Sequence, residues 1–153
     1  MDIRSIDNDD LSTKGGFVMT SQAVIYLYPA NENQQFLCVR AAKELGLEIR
    51  GIWEDDESVH PGAEHRPSRE RALEALESND TLIVHDLQRL SRRPESTTAI
   101  AKLLLEKDAR VVMASEQSGL LVLRVMGKQG LMMVALMEDL VEVFVESVEG
   151  ENA

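Results

Sequence analysis

The feature that most constrains the fold is an alternation of short apolar runs with segments of helical spacing. The apolar runs are rich in β-prone residues and end at turn residues, as buried strands do. The predicted strands are residues 23–28 and the runs LEIRGIWED, TLIVHDL and ARVVMAS. The predicted helices are NENQQFLCVRAAKELG, SRERALEALES and SRRPESTTAIAKLLLEKD. This order predicts an α/β fold, with a mainly parallel sheet of four to five strands covered by helices.

The helical segments also carry signals for their buried faces and their ends. In the first segment, the apolar positions with helical spacing are Phe36, Leu37, Val39, Ala42 and Leu45. We expect these side chains to face the sheet, and we expect Cys38 beside them to belong to the core. Ser68 is the candidate N-cap of the second helix, and Pro94 suits the first turn of the third.

Both ends of the chain differ from the α/β body, which we assign to residues 21–122. Residues 1–20 are polar and acidic, and they predict a flexible tail. Residues 123–149 predict one long amphipathic helix. It is longer than the α/β domain is wide, so part of its apolar face must be buried against another surface. We expect a second subunit to supply it, and a helix folded back on its own sheet is the alternative. The predicted interface residues are Met133, Met137, Leu140 and Phe144.

Composition argues against several classes of function. Acidic residues outnumber basic ones 27 to 16, giving a formal net charge of −11. Proteins that bind nucleic acids on their own, and proteins that bind anionic membrane surfaces, normally have a basic contact surface. One cysteine and three histidines without ligand spacing predict no disulfide, no metal site and no cofactor. The chain shows no signal peptide and no long uncharged apolar stretch, so we expect a cytoplasmic protein without a membrane partner.

Three stretches carry motifs that are longer than a single turn or cap signal. They are YLYPANENQ (26–34), EHRPSRERALEALESNDTLIVHDLQRLSR (64–92) and VMGKQGLMMVALMEDLVE (125–142). The first resembles Y-A-R-V-S-T-x-x-Q, and the second resembles R-P-x-x-x-x-A-L-x-x-L-x-x-G-D-x-L-x-V-x-x-L-D-R-L-x-R. The third resembles an M-G-(R/K) start of a long dimerisation helix. All three motifs are those of the catalytic domain of serine recombinases, the resolvase and invertase family.

The resemblance implies a phosphoryl-transfer site that this chain has altered. In the family, a serine after the first strand attacks a DNA phosphate, and arginines stabilise the charge on the transferring phosphoryl group. The serine position falls on Ala30, or on Pro29 if the alignment shifts by one residue. The arginine two residues earlier falls on Tyr28 or Leu27, and the aspartate of L-D-R-L falls on Gln88. The catalytic set is therefore not intact at these positions.

Four matching residues could still hold a phosphate or a sulfate, namely Arg66, Arg89, Arg92 and Gln34. For Arg89 and Arg92, pairing with nearby surface acids is the alternative. Tyr28 could in principle replace the lost nucleophile, but its place in the apolar strand pattern favours a structural role.

Three functional hypotheses follow. The first is a pseudo-recombinase, a regulatory or interaction protein that forms homodimers or hetero-oligomers with a related recombinase and binds DNA weakly or not at all alone. The second is an active site-specific DNA recombinase or nuclease with a displaced nucleophile. The third is a protein-binding module unrelated to DNA. We favour the first because the family's C-terminal DNA-binding domain is not expected here and because six acids and no base follow Lys128.

Overall fold

A five-stranded sheet forms the centre of the domain. The computed structural model describes residues 21–136, and residues 1–20 and 137–153 are not described. The strands are β1 (Gln22–Leu27), β2 (Glu48–Glu54), β3 (Thr81–Val84), β4 (Arg110–Gln117) and β5 (Leu120–Met126). Their spatial order is β2-β1-β3-β4-β5, with β1 to β4 parallel and β5 antiparallel to β4. The predicted α/β class and mainly parallel sheet are confirmed.

Helices connect the parallel strands, as parallel pairing requires. They are α1 (Glu32–Glu44), α2 (Pro67–Ala75), α3 (Leu87–Leu90) and α4 (Pro94–Glu106). A further helical segment covers residues 128–136 at the end of the described part. Within residues 21–136, no helix is long and apolar enough to cross a membrane.

The two faces of the sheet bury separate apolar cores. Alternation along β1 directs Ala23, Ile25 and Leu27 to one face, where α1 packs with Leu37 and Cys38. The other face receives Val24 and Tyr26, together with Tyr28 just beyond the strand, and is covered by α2, α4 and the 128–136 segment. The domain is thus a sheet between two helical layers, and Cys38 is a core residue as predicted, with no exposed surface.

The helical segment at the end of the described residues begins later than the start predicted for the long C-terminal helix. Residues 120–126 form β5, and the helical segment starts at residue 128, so the predicted start at residue 123 is wrong. The two-residue turn Ser118-Gly119, with φ of 52° and 80°, closes a tight hairpin between β4 and β5. Apolar residues at the start of the stretch therefore pair with β4. Of the predicted interface residues, Met133 is 61% exposed, and Met137, Leu140 and Phe144 lie outside the described residues.

Two local predictions in the helices are also wrong. Phe36 is 61% exposed, because the buried positions of α1 are Gln34, Leu37, Cys38, Ala41 and Ala42. The N-cap of α2 is Arg66, and Ser68 instead donates its backbone N–H to the Asp55 carboxylate at 3.1 Å. The Asp55 carboxylate, from the loop after β2, thus accepts the backbone N–H at the start of α2, which is the capping role predicted for the Ser68 side chain.

Candidate functional site at the carboxyl edge of the sheet

The strand order reverses between β1 and β3, which makes their carboxyl ends the natural place for a site. The chain leaves β1 into α1 on one face, whereas it leaves β3 towards α3 and α4 on the other. In open α/β sheets, ligands bind in the crevice opened by such a reversal. Tyr28, Pro29 and Ala30 follow β1 directly, and Gln88 and Arg89 lie in α3 shortly after β3.

The exit of β1 is held by hydrogen bonds within the protein. Tyr28 is 3% exposed, and its hydroxyl donates to the backbone carbonyl of Val59 in the loop after β2. The peptide bond between Tyr28 and Pro29 is cis. The Ala30 N–H donates to the Asp55 carbonyl at 3.1 Å. The Tyr28 hydroxyl is therefore hydrogen-bonded within the protein, and neither Pro29 nor Ala30 has a nucleophilic side-chain atom.

Arg66 lies at the centre of this edge, and it is fully buried. Its guanidinium carbon sits 4.1 Å from the centre of the Tyr28 ring, a cation–π contact shielded from water. Its two terminal nitrogens donate to the carbonyls of Pro61 at 2.9 Å and of Arg89 at 2.5 Å. Each terminal nitrogen therefore has a backbone oxygen as partner, whereas the buried Nε has no hydrogen-bond partner among the described residues.

Arg69, one turn further along α2, repeats this arrangement. It is 4% exposed and donates to the carbonyls of Leu90 at 3.1 Å and Glu64 at 3.0 Å. Burial, with Arg66 as the next cause, lowers the pKa of Arg69. The carbonyls of Arg89 and Leu90 lie at the end of the one-turn helix α3, where no N–H of the helix is available to them. The two arginines thus bind α3 to the start of α2.

Asp55 organises the other half of the edge. This buried carboxylate accepts the Tyr26 hydroxyl at 2.8 Å and the backbone N–H groups of Ser68 and Arg69, each at 3.1 Å. Burial raises the pKa of the Tyr26 hydroxyl far above its usual range, which keeps it a neutral donor at physiological pH. Asp55 also satisfies N–H groups that are orphaned at the start of α2.

The structure separates the other residues predicted for the site. Arg89 holds its Nε 3.6 Å from Asp86, the N-cap of α3, so its guanidinium lies beside a carboxylate. Arg92 and Gln88 are exposed. Gln34 is 2% exposed in α1, and its Oε1 has no hydrogen-bond partner among the described residues. Of the four anion-binding candidates, only Arg66 and Arg89 are joined by a hydrogen bond, which runs through the Arg89 backbone.

Sequence reasoning missed Tyr26, Asp55 and Arg69. The spacing of Arg66 and Arg69, three residues apart across the start of a helix, predicts that both face one side. Asp55 follows β2 directly, and the carboxyl ends of parallel strands share one edge of the sheet. Its place at this edge could therefore also have been predicted from the sequence. Across residues 21–136, no three or more His, Cys, Asp and Glu side chains are grouped so as to hold a metal ion.

The chain forms an α/β domain whose candidate functional positions lie at the carboxyl edge of a mostly parallel sheet. The family model of the resolvase N-terminal domain matches residues 29–149, which is well over half of the chain. The chain therefore belongs to the resolvase N-terminal domain family. No curated protein matches it.

Proposed function

We propose that this chain is a resolvase-family protein that has lost strand-exchange catalysis and acts by associating with other protein chains. Its partner is a second copy or a related recombinase. The observation that carries the proposal is the exit of β1, where Pro29 and Ala30 have no nucleophilic atom. The hydroxyl of Tyr28 is committed to the Val59 carbonyl. A transesterification needs a free nucleophile at the reacting phosphate, and this turn provides none.

The arginines support the same conclusion. A guanidinium that stabilises a transferring phosphoryl group must point its donors at the phosphate oxygens. Arg66 points two of them at Pro61 and Arg89 carbonyls and has no exposed surface. Hydrogen bonds to charged groups contribute about 1.5–3 kcal/mol each, so freeing Arg66 would cost about 3–6 kcal/mol before any phosphate contact forms. A phosphate would have to offset that cost.

The charge of the C-terminal region favours a protein partner over DNA. After Lys128 the sequence contains six acidic residues and no basic residue. Because DNA presents closely spaced negative charge, this segment would be repelled by the phosphate backbone. A region with repeated Met, Leu and Val between those acids suits a protein surface better.

The catalytic half of the proposal is tested on supercoiled plasmid DNA at low salt. We expect neither nicking nor a covalent protein–DNA product from the wild-type chain, in a reaction where an active serine recombinase gives both. Ala30→Ser is the matched variant, and we expect it to stay inactive because Tyr28 and Gln88 still replace charged groups. A reproducible covalent product from the wild-type protein would overturn the proposal.

The association half is tested by solution mass. Met133→Glu places a charge on the apolar face of the 128–136 segment, and Phe36→Glu makes the same change on α1 at a side chain of equal exposure, 61%. We expect light scattering to show a lower mass for the first variant only. If Met133→Glu leaves the mass unchanged while circular dichroism shows an intact fold, the C-terminal association surface is wrong.

A further inference from the structure

Strand β5 is an outer strand of the sheet with almost no charge. Its sequence is LLVLRVM, in which Arg124 is the single charged residue. Leu120 is 69% exposed and Val125 is 54% exposed. In the described part of the chain, β5 pairs only with β4, so its outward N–H and C=O groups have no strand partner. Long apolar edges of this kind are templates for pairing with another strand.

The opposite edge of the same sheet is protected in ways that β5 is not. Strand β2, EIRGIWE, carries three charged residues in seven, and its pairing with β1 contains a register shift. The Trp53 ring lies over Gly51, so close that a Cβ at Gly51 would fall 2.7 Å from it. Charges and irregular pairing are the usual means of preventing edge association. Within residues 21–136, the contrast identifies β5 as the edge without protection.

We infer that β5 pairs antiparallel with β5 of a second copy of this chain, which joins two five-stranded sheets into one. An antiparallel strand pair is self-complementary about a two-fold axis, so the contact closes at two copies. A register centred on Leu123 pairs Leu120 with Met126 and sets Arg124 opposite Val122. Every direct cross-strand pair is then apolar or Val–Arg, and no two arginines stand directly opposite each other.

Charge is the reason that a second copy fits this edge and few other surfaces of the protein. Two chains of net charge −11 repel each other through most contacts. The β5 edge carries a single positive residue and no acid, so pairing there brings no acidic side chains of the strand together.

The number of backbone hydrogen bonds is also adequate for a stable contact. In an antiparallel pair, alternate residues exchange two hydrogen bonds, so seven residues give roughly six to eight. A typical protein interface carries about ten direct hydrogen bonds, give or take five. Leu121 and Leu123, which are only partly buried against the α1 core, add apolar contact beside the ladder.

This contact is separate from the C-terminal association surface of the proposed function, and either can fail without the other. Single cysteines at positions 121 to 125 in the full-length chain test it, because Cys38 is fully buried. A residue on a two-fold axis lies next to its own copy, within disulfide reach. Under mild oxidation we expect one position, Leu123→Cys in the centred register, to give a disulfide-linked dimer, with less product on either side.

Three outcomes would overturn the inference. Equal cross-linking at all five positions would indicate random collision. No cross-linking with free reaction towards a thiol reagent would show an unpaired edge. No cross-linking with protection from that reagent would show an edge covered by another part of the chain or by another protein.

A charge variant supplies a second readout that does not depend on disulfide geometry. Val125→Lys places a charge on the β5 edge, and Ile52→Lys, at a 38% exposed position of β2, is its matched control. We expect Val125→Lys to halve the solution mass, and we expect Ile52→Lys to leave it unchanged. Equal effects from both variants, or none from Val125→Lys, would refute the pairing.

Discussion

Replacing Asp55 by alanine should destabilise the domain far more than the same change at its neighbour Asp56. Asp55 is 6% exposed, and its carboxylate accepts three hydrogen bonds, from the Tyr26 hydroxyl and from two N–H groups at the start of α2. Asp56 is fully exposed, and its carboxylate accepts hydrogen bonds from Ser58 alone among the described residues. The two residues are adjacent and chemically identical, so burial and hydrogen bonding are what distinguish them.

The size of the effect follows from the groups left without a partner. Loss of a helix N-cap costs about 0.5–2 kcal/mol. A buried hydroxyl without an acceptor costs about 1–3 kcal/mol more. Asp55→Ala should therefore lower the free energy of unfolding by about 1.5–5 kcal/mol, a large share of the roughly 5–15 kcal/mol of an ordinary domain.

Urea unfolding followed by circular dichroism measures this free energy, with Asp56→Ala as the control. Tyr26→Phe removes one of the three donors and should cost about 1 kcal/mol alone. In the Asp55→Ala background the same change should cost almost nothing, because its acceptor is already gone. If the Asp55 and Asp56 variants unfold at the same urea concentration, the assignment of Asp55 as the organiser of this edge is wrong.

Three further predictions follow from other groups. Nδ1 of the exposed His65 lies 2.8 Å from Oε1 of Glu70, and this carboxylate raises the pKa of His65. Glu70→Gln should therefore lower the His65 pKa measured by NMR. Since the folded pKa is the higher one, the stability from this pair is present at low pH and is lost as pH rises through it. Burial raises the pKa of the Cys38 thiol to about 12, so a thiol reagent at pH 8 should react only after urea unfolds the chain. Lys107→Met removes hydrogen bonds from the ammonium to carbonyls at the end of α2, 2.8–3.4 Å away, and should cost about 1–2 kcal/mol in urea unfolding.

The alternation of apolar runs and helical segments was enough to predict the fold class and the parallel strands. Strand β5 was missed because its apolar residues also fit a helical stripe, and only the Ser118-Gly119 turn marks the hairpin. The buried face of α1 was predicted incorrectly, because Phe36 is apolar and was expected in the core, whereas Gln34 is buried and Phe36 is exposed. Apolar character predicts burial only on average, and the geometry of packing decides each position.

The sequence motif predicts where the candidate site lies, but it does not predict the hydrogen bonds that its side chains form. The motif located Tyr28, Ala30 and Arg66 at one edge, yet no sequence pattern announces that an arginine will donate to the carbonyls of Pro61 and Arg89. Those contacts depend on the path of the loop after β2, which brings carbonyl oxygens over the edge. Loop paths follow from tertiary packing that local sequence does not encode.

If strand-exchange catalysis is lost, as we propose, the contact between Arg66 and Tyr28 opposes its recovery by single substitutions. Restoring an arginine at position 28 would place a second cation about where the Tyr28 ring now lies, 4.1 Å from the Arg66 guanidinium. Two like charges at that distance repel by about 4 kcal/mol at an effective dielectric constant near 20. Without an anion between them, that repulsion opposes the fold, and a serine at position 30 would gain nothing until it was relieved. Under the proposed loss of catalysis, Tyr28 therefore opposes its recovery, since each single substitution towards phosphoryl transfer is disfavoured until all of them are present.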